Sequence, residues 1–335
     1  MSEPAVVVHK SDRVDRGALE KRTVAVIGYG NLGRSVALNL RDSDVKVVVG
    51  NIDDEFRQNA IADGFDVRDI GSAVASADVV FLLIPDEEIS DVLEREIAPS
   101  LRPGGTLCFA SGYVIAFGSV ELPGNIDVLL LAPRMLGEEV RRSYQDGTGF
   151  FSYVSVEQNA TGSAEELLLA LAGAVGSLRR GAMVLSAEQE ALIDLLVEQT
   201  FGPVLGGALI TAFHAGVDAG LPPEAMVLEL YMSGEMARTF GTFATEGFYR
   251  STSWHGVVAQ YGGYLRFGDI DLDEMESVFR ATIEDIRSGH FAQSLQDERD
   301  QGYPTMEVIE AMTSGNDPIT RAEEKVRGLL GELTA

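Results

Sequence analysis

An acidic pair lies inside an otherwise apolar stretch of the chain, 186-SAEQEALIDLLVEQT-200. The serine that opens this stretch and the glutamine three positions later have the spacing of a capping box, which predicts a helix. On that helix Asp194 and Glu198 would lie on one face, where like charges repel each other. Together with Glu190 they form one stripe. That stripe is either the solvated face of an amphipathic helix or part of a site that binds a cation.

A second apolar segment carries an isolated acid. Glu229 lies within 222-PPEAMVLELYMSGEM-236, and most residues three or four positions from it are apolar. A lone carboxylate on an apolar face is costly to bury without a cation or another partner. Asp194, Glu198 and Glu229 together would give the all-oxygen ligand set that suits Mg²⁺.

A glycine motif marks the elements expected to position these acids. Gly28, Gly30 and Gly33 form a G-x-G-x-x-G motif that follows the strand-like run 24-VAVI-27 and opens a helical pattern. Such glycines permit a tight turn, the approach of a pyrophosphate to backbone N–H groups, and close packing of helix on strand. The motif therefore predicts a dinucleotide site, with a purely structural turn as the alternative. The candidate cofactor-binding residues are Gly28, Tyr29, Gly30, Asn31, Leu32, Gly33, Asp53, Asp54, Ile84, Pro85, Asp86 and Gly112.

Two acids bear on which nicotinamide cofactor is bound. Asp53 and Asp54 follow the second strand-like run, 45-VKVVVG-50. They lie near the offset of about 20 residues at which a carboxylate binds the ribose 2′-hydroxyl. No Arg, Lys or Ser occurs within 51-NIDDE-55 to hold a 2′-phosphate. This pattern favours NADH over NADPH, and the alternative is two solvated loop acids.

Further strand-like runs continue the pattern at 79–84, 106–110, 127–132 and 150–156. The first three end at Pro85-Asp86, Ser111-Gly112 and Pro133-Arg134. Because ligands of such sheets bind at the carboxyl ends of the strands, these loops are the expected rim of the site. From residue 186 onward, helical patterns replace the strands. We predict an α/β Rossmann domain over 1–184 and an all-α domain over 185–335.

Charge and composition exclude several classes of protein. Asp and Glu outnumber Lys and Arg by 52 to 26, for a net charge of −26. That field repels nucleic acids and anionic membranes, so we expect neither as a partner. The single cysteine, Cys108, permits neither an intramolecular disulfide nor a cysteine-based zinc site within one chain. With no signal peptide pattern and no unbroken apolar run of ~18 residues, we expect a cytoplasmic protein.

The chain resembles the class I ketol-acid reductoisomerases, also called acetohydroxy acid isomeroreductases, from about residue 17 to its end. The resembling stretches include 24-VAVIGYGNLG-33, 79-VVFLLIPDE-87, 131-LAPRMLGEEVRRSY-144, 194-DLLVEQ-199 and 219-AGLPPE-224. The resemblance implies a Rossmann domain followed by a knotted helical domain, with active sites shared across a homodimer or a higher homo-oligomer. It also implies the reaction. Mg²⁺ polarises the carbonyl of 2-acetolactate, an alkyl group migrates, and NADH or NADPH reduces the new ketone to give 2,3-dihydroxyisovalerate.

The resemblance also implies roles for individual residues. Asp194 and Glu198 match the family's first metal-binding pair, and Glu229 matches the first acid of its second pair. Ser253 matches a serine that contacts the substrate. The candidate catalytic residues are Asp194, Glu198, Glu229, Arg134, Ser111 and Ser253, of which the three acids are the candidate metal ligands.

Three positions depart from the family's pattern. Ser111 stands where the family has a histidine, and Arg134 stands where it has its active-site lysine. Ser233 stands where the last metal acid is expected, although a local rearrangement could bring Glu235 into that place. An arginine is not a conservative replacement for a lysine, because its guanidinium is flat, delocalised and permanently charged.

The leading hypothesis is a divergent, NADH-preferring member of this family, with a role in specialised metabolism. It would reduce the ketone of a small hydroxy-keto or 2-keto acid, with Mg²⁺ bound and the migration step weakened. Arg134 would orient a carboxylate or a developing alkoxide, and Ser111 would hydrogen-bond near the transferred hydride. The alternatives are a true ketol-acid reductoisomerase acting on 2-acetolactate, and a sensor that binds the nucleotide without catalysis.

Overall fold

The computed structural model describes residues 6–11, 17–118, 120–313, 315 and 317–331. The chain divides into two compact units, Met1–Asp194 and Leu195–Ala335. The first unit combines strands and helices, and the second is helical.

The first unit contains a nine-stranded sheet within its described residues. Its strands are β1 (Val8–His9), β2 (Thr23–Ile27), β3 (Lys46–Gly50), β4 (Asp66–Arg68), β5 (Val79–Leu82), β6 (Thr106–Phe109), β7 (Asp127–Pro133), β8 (Phe151–Gln158) and β9 (Gly181–Val184). Their order is β1-β9-β8-β7-β6-β5-β2-β3-β4. The block from β4 to β7 is parallel, β8 is antiparallel to β7, and β9 is parallel to β8. The short β1 closes the edge antiparallel to β9.

Helices cover both faces of this sheet. They are α1 (Asn31–Asp42), α2 (Glu55–Ala62), α3 (Ile70–Ala75), α4 (Asp86–Val92), α5 (Tyr113–Phe117), α6 (Gly137–Gln145), α7 (Ala164–Val175) and α8 (Ala187–Leu196). Along β2 the side chains alternate between two cores. Val24 and Val26 pack with α1, α6 and α7, whereas Ala25 and Ile27 pack with α3 and α4. Because both faces of the central strands are buried, these strands are continuously apolar.

The second unit is helical, and none of its described residues lies in a strand. Its helices are α9 (Gly202–Asp218), α10 (Pro223–Val227), α11 (Glu235–Glu246), α12 (Phe248–Ser251), α13 (Val257–Phe267), α14 (Leu272–Arg287), α15 (His290–Asp300), α16 (Pro304–Met312) and α17 (Pro318–Leu330). Two π-helical turns, Val197–Phe201 and Leu228–Met232, precede α9 and follow α10. A small core of Phe213, Val227, Ala322 and Val326 joins α9, α10 and α17.

The predicted fold class is confirmed, as a Rossmann-like α/β unit followed by a helical one. All six predicted strands are present, although the run at 150–156 is antiparallel to its neighbour β7 rather than part of the parallel block. The short strands β1, β4 and β9 were not predicted. The knot implied by the resemblance stays a prediction.

One helical run is long and apolar enough to cross a membrane by length and composition alone. It is Ala187–Asp218, 32 residues long, and little of it is buried within the single chain. No unbroken apolar run was expected, and Gly, Pro and acidic residues do interrupt this one. One such helix is weak support for a membrane protein, because a helix from the core of a soluble protein passes the same test.

Candidate active site

The glycine loop between β2 and α1 has the close backbone approaches that its sequence predicts. Gly28 has a φ of 93°, and a Cβ added there would lie 2.6 Å from the carbonyl oxygen of Leu83. A Cβ on Gly33 would lie 2.1 Å from the oxygen of Gly28, so helix and loop touch. A Cβ on Gly30 would meet open space. In the described chain no side chain caps α1, so the N–H groups of its first turn remain available to an anionic ligand.

A cavity of about 790 Å³ opens at the carboxyl ends of β2, β3, β5 and β6. The candidate residues on its wall are Gly28, Tyr29, Gly30, Asn31, Leu32, Asp54, Ile84, Pro85, Asp86 and Ser111. The glycine loop and this volume fit a nicotinamide dinucleotide. Three candidates lie elsewhere: Gly33 packs behind the loop, Asp53 is exposed, and Gly112 contacts helix α8.

Asn51, which sequence reasoning missed, joins the glycine loop to the acid at the cavity wall. Its Oδ1 accepts a hydrogen bond from the N–H of Tyr29 at 2.9 Å. Its Nδ2 donates to Asp54 Oδ1 at 2.7 Å. Asp54 Oδ1 also accepts from the N–H of Arg57 and so caps α2. The position of Asn51 directly after β3 was the signal available in the sequence.

The nearest cation is already engaged by the protein. The Arg57 guanidinium donates to the backbone oxygen of Asn51 at 2.7 Å and lies 3.3 Å from Asp69 Oδ1. Among the residues that line the cavity there is no lysine or arginine. The charged residues that line the cavity are Asp54, Asp86 and Glu88, so its wall carries negative charge.

A second network ties the glycine loop to the far end of α2. The Tyr29 hydroxyl donates to Asp63 Oδ2 at 2.9 Å, and Arg34 Nε donates to the same oxygen at 2.7 Å. The Arg34 guanidinium holds the pKa of Asp63 below its usual range, with a smaller contribution in the same direction from Tyr29. Burial raises the pKa of Tyr29, and the hydrogen bond to Asp63 makes a smaller contribution in the same direction.

Arg134 follows β7 and is held by four neighbours. Its Nη1 lies 2.5 Å from Asp194 Oδ1, and its Nη2 lies 2.8 Å from Glu190 Oε1. Its Nε donates to the carbonyl oxygen of Pro133 at 3.1 Å. The guanidinium carbon lies 5.2 Å from the centre of the Tyr153 ring, within cation–π range. These contacts fix a positive charge at the rim of the sheet.

Glu190 is the site residue that sequence reasoning missed most clearly. Its side chain is fully buried, and its Oε2 accepts a hydrogen bond from the Gly112 N–H at 2.6 Å. A Cβ on Gly112 would lie 2.2 Å from the Ala187 oxygen, so a larger residue would break this contact. Burial raises the pKa of Glu190, while the Gly112 N–H and Arg134 act in the opposite direction. Glu190 therefore links the loop of Ser111 to Arg134.

Helix α8 begins as its sequence predicts. The Ser186 N–H donates to Gln189 Oε1 at 3.1 Å, and the Gln189 N–H donates to Ser186 Oγ at 3.2 Å. This reciprocal capping box fixes the start of α8. The hypothesis of a wholly solvated stripe is wrong for Glu190.

The remaining predicted residues belong to the second unit. Glu198, Glu229 and Ser253 are exposed, and the Ser253 hydroxyl donates to the Arg250 carbonyl oxygen at 2.8 Å. Ser233 and Glu235 are exposed as well, at the start of α11.

The assignment of Asp194, Glu198 and Glu229 as Mg²⁺ ligands stays a prediction. Among the residues with described positions, no group of three or more His, Cys, Asp or Glu side chains is arranged to hold a metal ion. Asp194 is instead paired with Arg134.

The comparisons with known proteins agree with this architecture. Residues 18–181 match the family described as acetohydroxy acid isomeroreductase, NADPH-binding domain. Residues 187–332 match the ketol-acid reductoisomerase C-terminal domain.

Individual relatives are similar over most of their length. The putative ketol-acid reductoisomerase 3 of Saccharolobus solfataricus is 40% identical, over 85% of this chain and 87% of that protein. The ketol-acid reductoisomerase (NADP(+)) of Pyrobaculum arsenaticum is 38% identical, over 87% of this chain and 89% of that protein. The solved structure of an NADH-preferring ketol-acid reductoisomerase from an uncultured archaeon is 30% identical. It has a TM-score of 0.91 and covers 97% of this chain and 100% of that one.

Proposed function

Because the chain belongs to the ketol-acid reductoisomerase family, we propose that it uses NADH to reduce the ketone of a small 2-keto or hydroxy-keto acid. Membership makes it an NAD(P)H-dependent oxidoreductase. Three parts are proposed: that the cofactor is NADH, that the substrate is a small 2-keto or hydroxy-keto acid, and that the alkyl-migration step is weakened.

One observation carries the proposal. Ser111 lines the cofactor cavity, its neighbour Gly112 is bonded to Glu190, and Glu190 is bonded to Arg134. This chain of contacts connects the cavity to a fixed positive charge. A ketone at that junction would have a hydroxyl and a guanidinium as its polar neighbours.

The residues at this junction suit the stabilisation of a developing alkoxide. The Ser111 hydroxyl oxygen accepts a hydrogen bond from the Tyr113 N–H at 3.2 Å, which leaves its own proton free to be donated. Arg134 adds positive charge where negative charge develops on the ketone oxygen. When bound, NADH supplies the hydride and leaves as NAD⁺. The alkoxide then takes a proton from water to give the hydroxy acid.

The negative wall of the cavity supports NADH as the cofactor. Asp54 is fixed there by Asn51 and by the N–H of Arg57. A 2′-phosphate placed nearby would meet like charge, whereas a 2′-hydroxyl could donate to the carboxylate. The relative named for NADH preference has the same fold over the whole chain.

The alternative proposal is the complete reductoisomerase reaction on 2-acetolactate. It would require Mg²⁺ held by Asp194, Glu198 and Glu229, with carboxylates drawn from two copies of the chain. The names of the curated relatives favour this activity. The substitutions at Ser111, Arg134 and Ser233 weigh against it.

A homodimer is part of the proposal. The second unit exposes large apolar side chains, of which the most exposed include Tyr249, Trp254, Val257, Val258 and Tyr261. Large apolar side chains that are exposed in a single chain are often buried in an obligate interface. Light scattering after size exclusion would test this, and a monomer would contradict it.

The function is tested by following NADH oxidation with two substrates. They are 2-acetolactate and its rearranged isomer 3-hydroxy-3-methyl-2-ketobutyrate, each with Mg²⁺ and with EDTA. Turnover of the rearranged compound alone supports the reductase. Mg²⁺-dependent turnover of both supports the full reductoisomerase, and NADH binding without turnover of either supports a sensor.

A further inference from the structure

The positive charge beside Asp194 in this chain belongs to a side chain, Arg134. Arg134 bridges two carboxylates with its two terminal nitrogens, one to Asp194 Oδ1 at 2.5 Å and the other to Glu190 Oε1 at 2.8 Å. We propose that the guanidinium of Arg134 takes the cation position beside Asp194, so that the keto acid is reduced without a divalent metal ion. This inference rests on the proposed function for its substrate, but its central claim concerns cation binding.

The arginine is anchored too firmly to be an incidental neighbour of Asp194. Glu190, its second partner, is fully buried and fixed by the Gly112 N–H at 2.6 Å. The Pro133 carbonyl oxygen and the Tyr153 ring hold the guanidinium from two further directions. Charge-assisted bonds from one planar guanidinium to two carboxylates are strong and directional.

A lysine at this position would behave differently. An ammonium is a compact point charge on a flexible stem, and it can move aside when a metal ion arrives. A guanidinium is always charged, and its fork holds both carboxylates at once. The exchange of lysine for Arg134 therefore places a permanent positive charge where Asp194 would bind Mg²⁺.

The set of metal ligands that the resemblance implies is weakened at a second position. Ser233 stands where the resemblance implies another metal carboxylate, and a neutral hydroxyl is a poorer ligand for Mg²⁺. An ion bound by Asp194 Oδ1 would lie next to Arg134, which already occupies that oxygen. A dication there would be repelled by the guanidinium at short range.

The guanidinium can still serve the reaction. Of its five N–H donors, three are used by Pro133, Glu190 and Asp194. Two remain to meet a ketone oxygen or a substrate carboxylate. Alkyl migration needs a strong Lewis acid, so its rate would fall most under this arrangement. The rate of hydride transfer to an existing ketone would fall least.

The test uses the full chain in its native oligomer, with Mn²⁺ as the probe. Mn²⁺ binding is measured by electron paramagnetic resonance for the wild type and for Asp194→Asn, Arg134→Lys and Glu188→Gln. The last variant is a control, because Glu188 is an exposed acid on the same helix. We expect no Mn²⁺ site in the wild type that Asp194→Asn removes, and a Mn²⁺ site that is gained in Arg134→Lys.

The complementary measurement is the rate with 3-hydroxy-3-methyl-2-ketobutyrate after EDTA treatment, which we expect to be unchanged. A wild-type Mn²⁺ site that Asp194→Asn abolishes would overturn the proposal, and so would an EDTA-sensitive rate that Mg²⁺ restores. If neither keto acid turns over, the proposed function fails, and the Mn²⁺ titration alone decides the nature of the cation site.

Discussion

Gly137, the first residue of α6, lies against Leu32 in the first turn of α1. A Cβ added to Gly137 would come within 2.6 Å of the Leu32 backbone nitrogen and within 2.8 Å of its Cα. These atoms belong to the first turn of α1, where Asn31 and Leu32 line the cofactor cavity. Helix α6 therefore supports the glycine loop from behind, and only glycine permits this approach.

Gly137→Ala is expected to weaken NADH binding about tenfold, because the loop must shift to admit the methyl group. The KM of the keto acid should change much less. Fluorescence titration of NADH and steady-state kinetics measure the two effects. Gly124→Ala is the matched control, since a Cβ there meets nothing within 4 Å. Equal NADH affinity in both variants would show that Gly137 does not position the loop.

Asp54→Ser is expected to raise the affinity for NADPH relative to NADH about tenfold. The substitution removes the negative charge from the cavity wall, and a serine oxygen can still cap α2. Dissociation constants for both cofactors check the ratio. The exposed neighbour provides the control, as Asp53→Ser should leave the ratio unchanged. An unaltered ratio in Asp54→Ser would show that the Asp54 carboxylate does not set the preference for NADH.

Asp63→Asn is expected to lower the free energy of unfolding near neutral pH by about 1 kcal/mol, because Arg34 and Tyr29 lose a charged acceptor. The half-exposed Arg34 keeps the value modest. Since the folded chain holds the pKa of Asp63 below its ordinary 3.8, the stabilisation is fully present above pH 3.8. It is lost as pH falls through the folded-state value.

Urea unfolding of the wild type and Asp63→Asn at several pH values measures this difference. Asp66→Asn is a suitable comparison, because Asp66, which pairs with Arg68, is more exposed than Asp63 and should contribute less. A stability difference between wild type and Asp63→Asn that grows toward acid pH would contradict the prediction.

Glu190→Ala is expected to destabilise the fold by about 3 kcal/mol, because it removes one partner of a buried ion pair and orphans the Gly112 N–H. Glu190→Gln should cost less, since its amide oxygen can accept one of the two hydrogen bonds. Chemical unfolding gives both values. Glu188→Ala, an exposed change two residues away, should lie within about 0.5 kcal/mol of the wild type.

Ser186→Ala is expected to lower the free energy of unfolding by about 1 kcal/mol, because the Gln189 N–H at the start of α8 loses its acceptor. Ser186→Thr should restore most of the loss. The NADH dissociation constant should not change, as Ser186 does not line the cofactor cavity. A destabilisation of similar size in Ser186→Thr would show that the hydroxyl does not act as a cap.

Local signals made part of this structure predictable. The glycine motif and its flanking strand and helix lie within one short segment, and each residue's role follows from backbone sterics alone. The capping box at Ser186 and Gln189 is equally local, and the structure contains both of its hydrogen bonds. Strand β4 was missed because its three residues are too few to establish a period.

The buried acid could not be singled out in this way. Glu190, Asp194 and Glu198 recur at one-turn spacing, and nothing local distinguishes them. Glu190 becomes the buried one because Gly112 and Arg134 approach it from 78 and 56 residues away. Asn51 was missed for a related reason, since its bond to the Tyr29 N–H spans 22 residues. Pairings of this kind depend on tertiary structure.

The four neighbours of Arg134 have a thermodynamic consequence. An arginine side chain that is immobilised loses rotamer freedom equivalent to about 2 kcal/mol at room temperature. In this chain that entropy cost is part of the free energy of folding, because the folded chain already holds the guanidinium through Pro133, Tyr153, Glu190 and Asp194. A substrate that binds to Arg134 therefore meets a side chain that is already ordered. Its binding does not include the entropy cost of ordering that arginine.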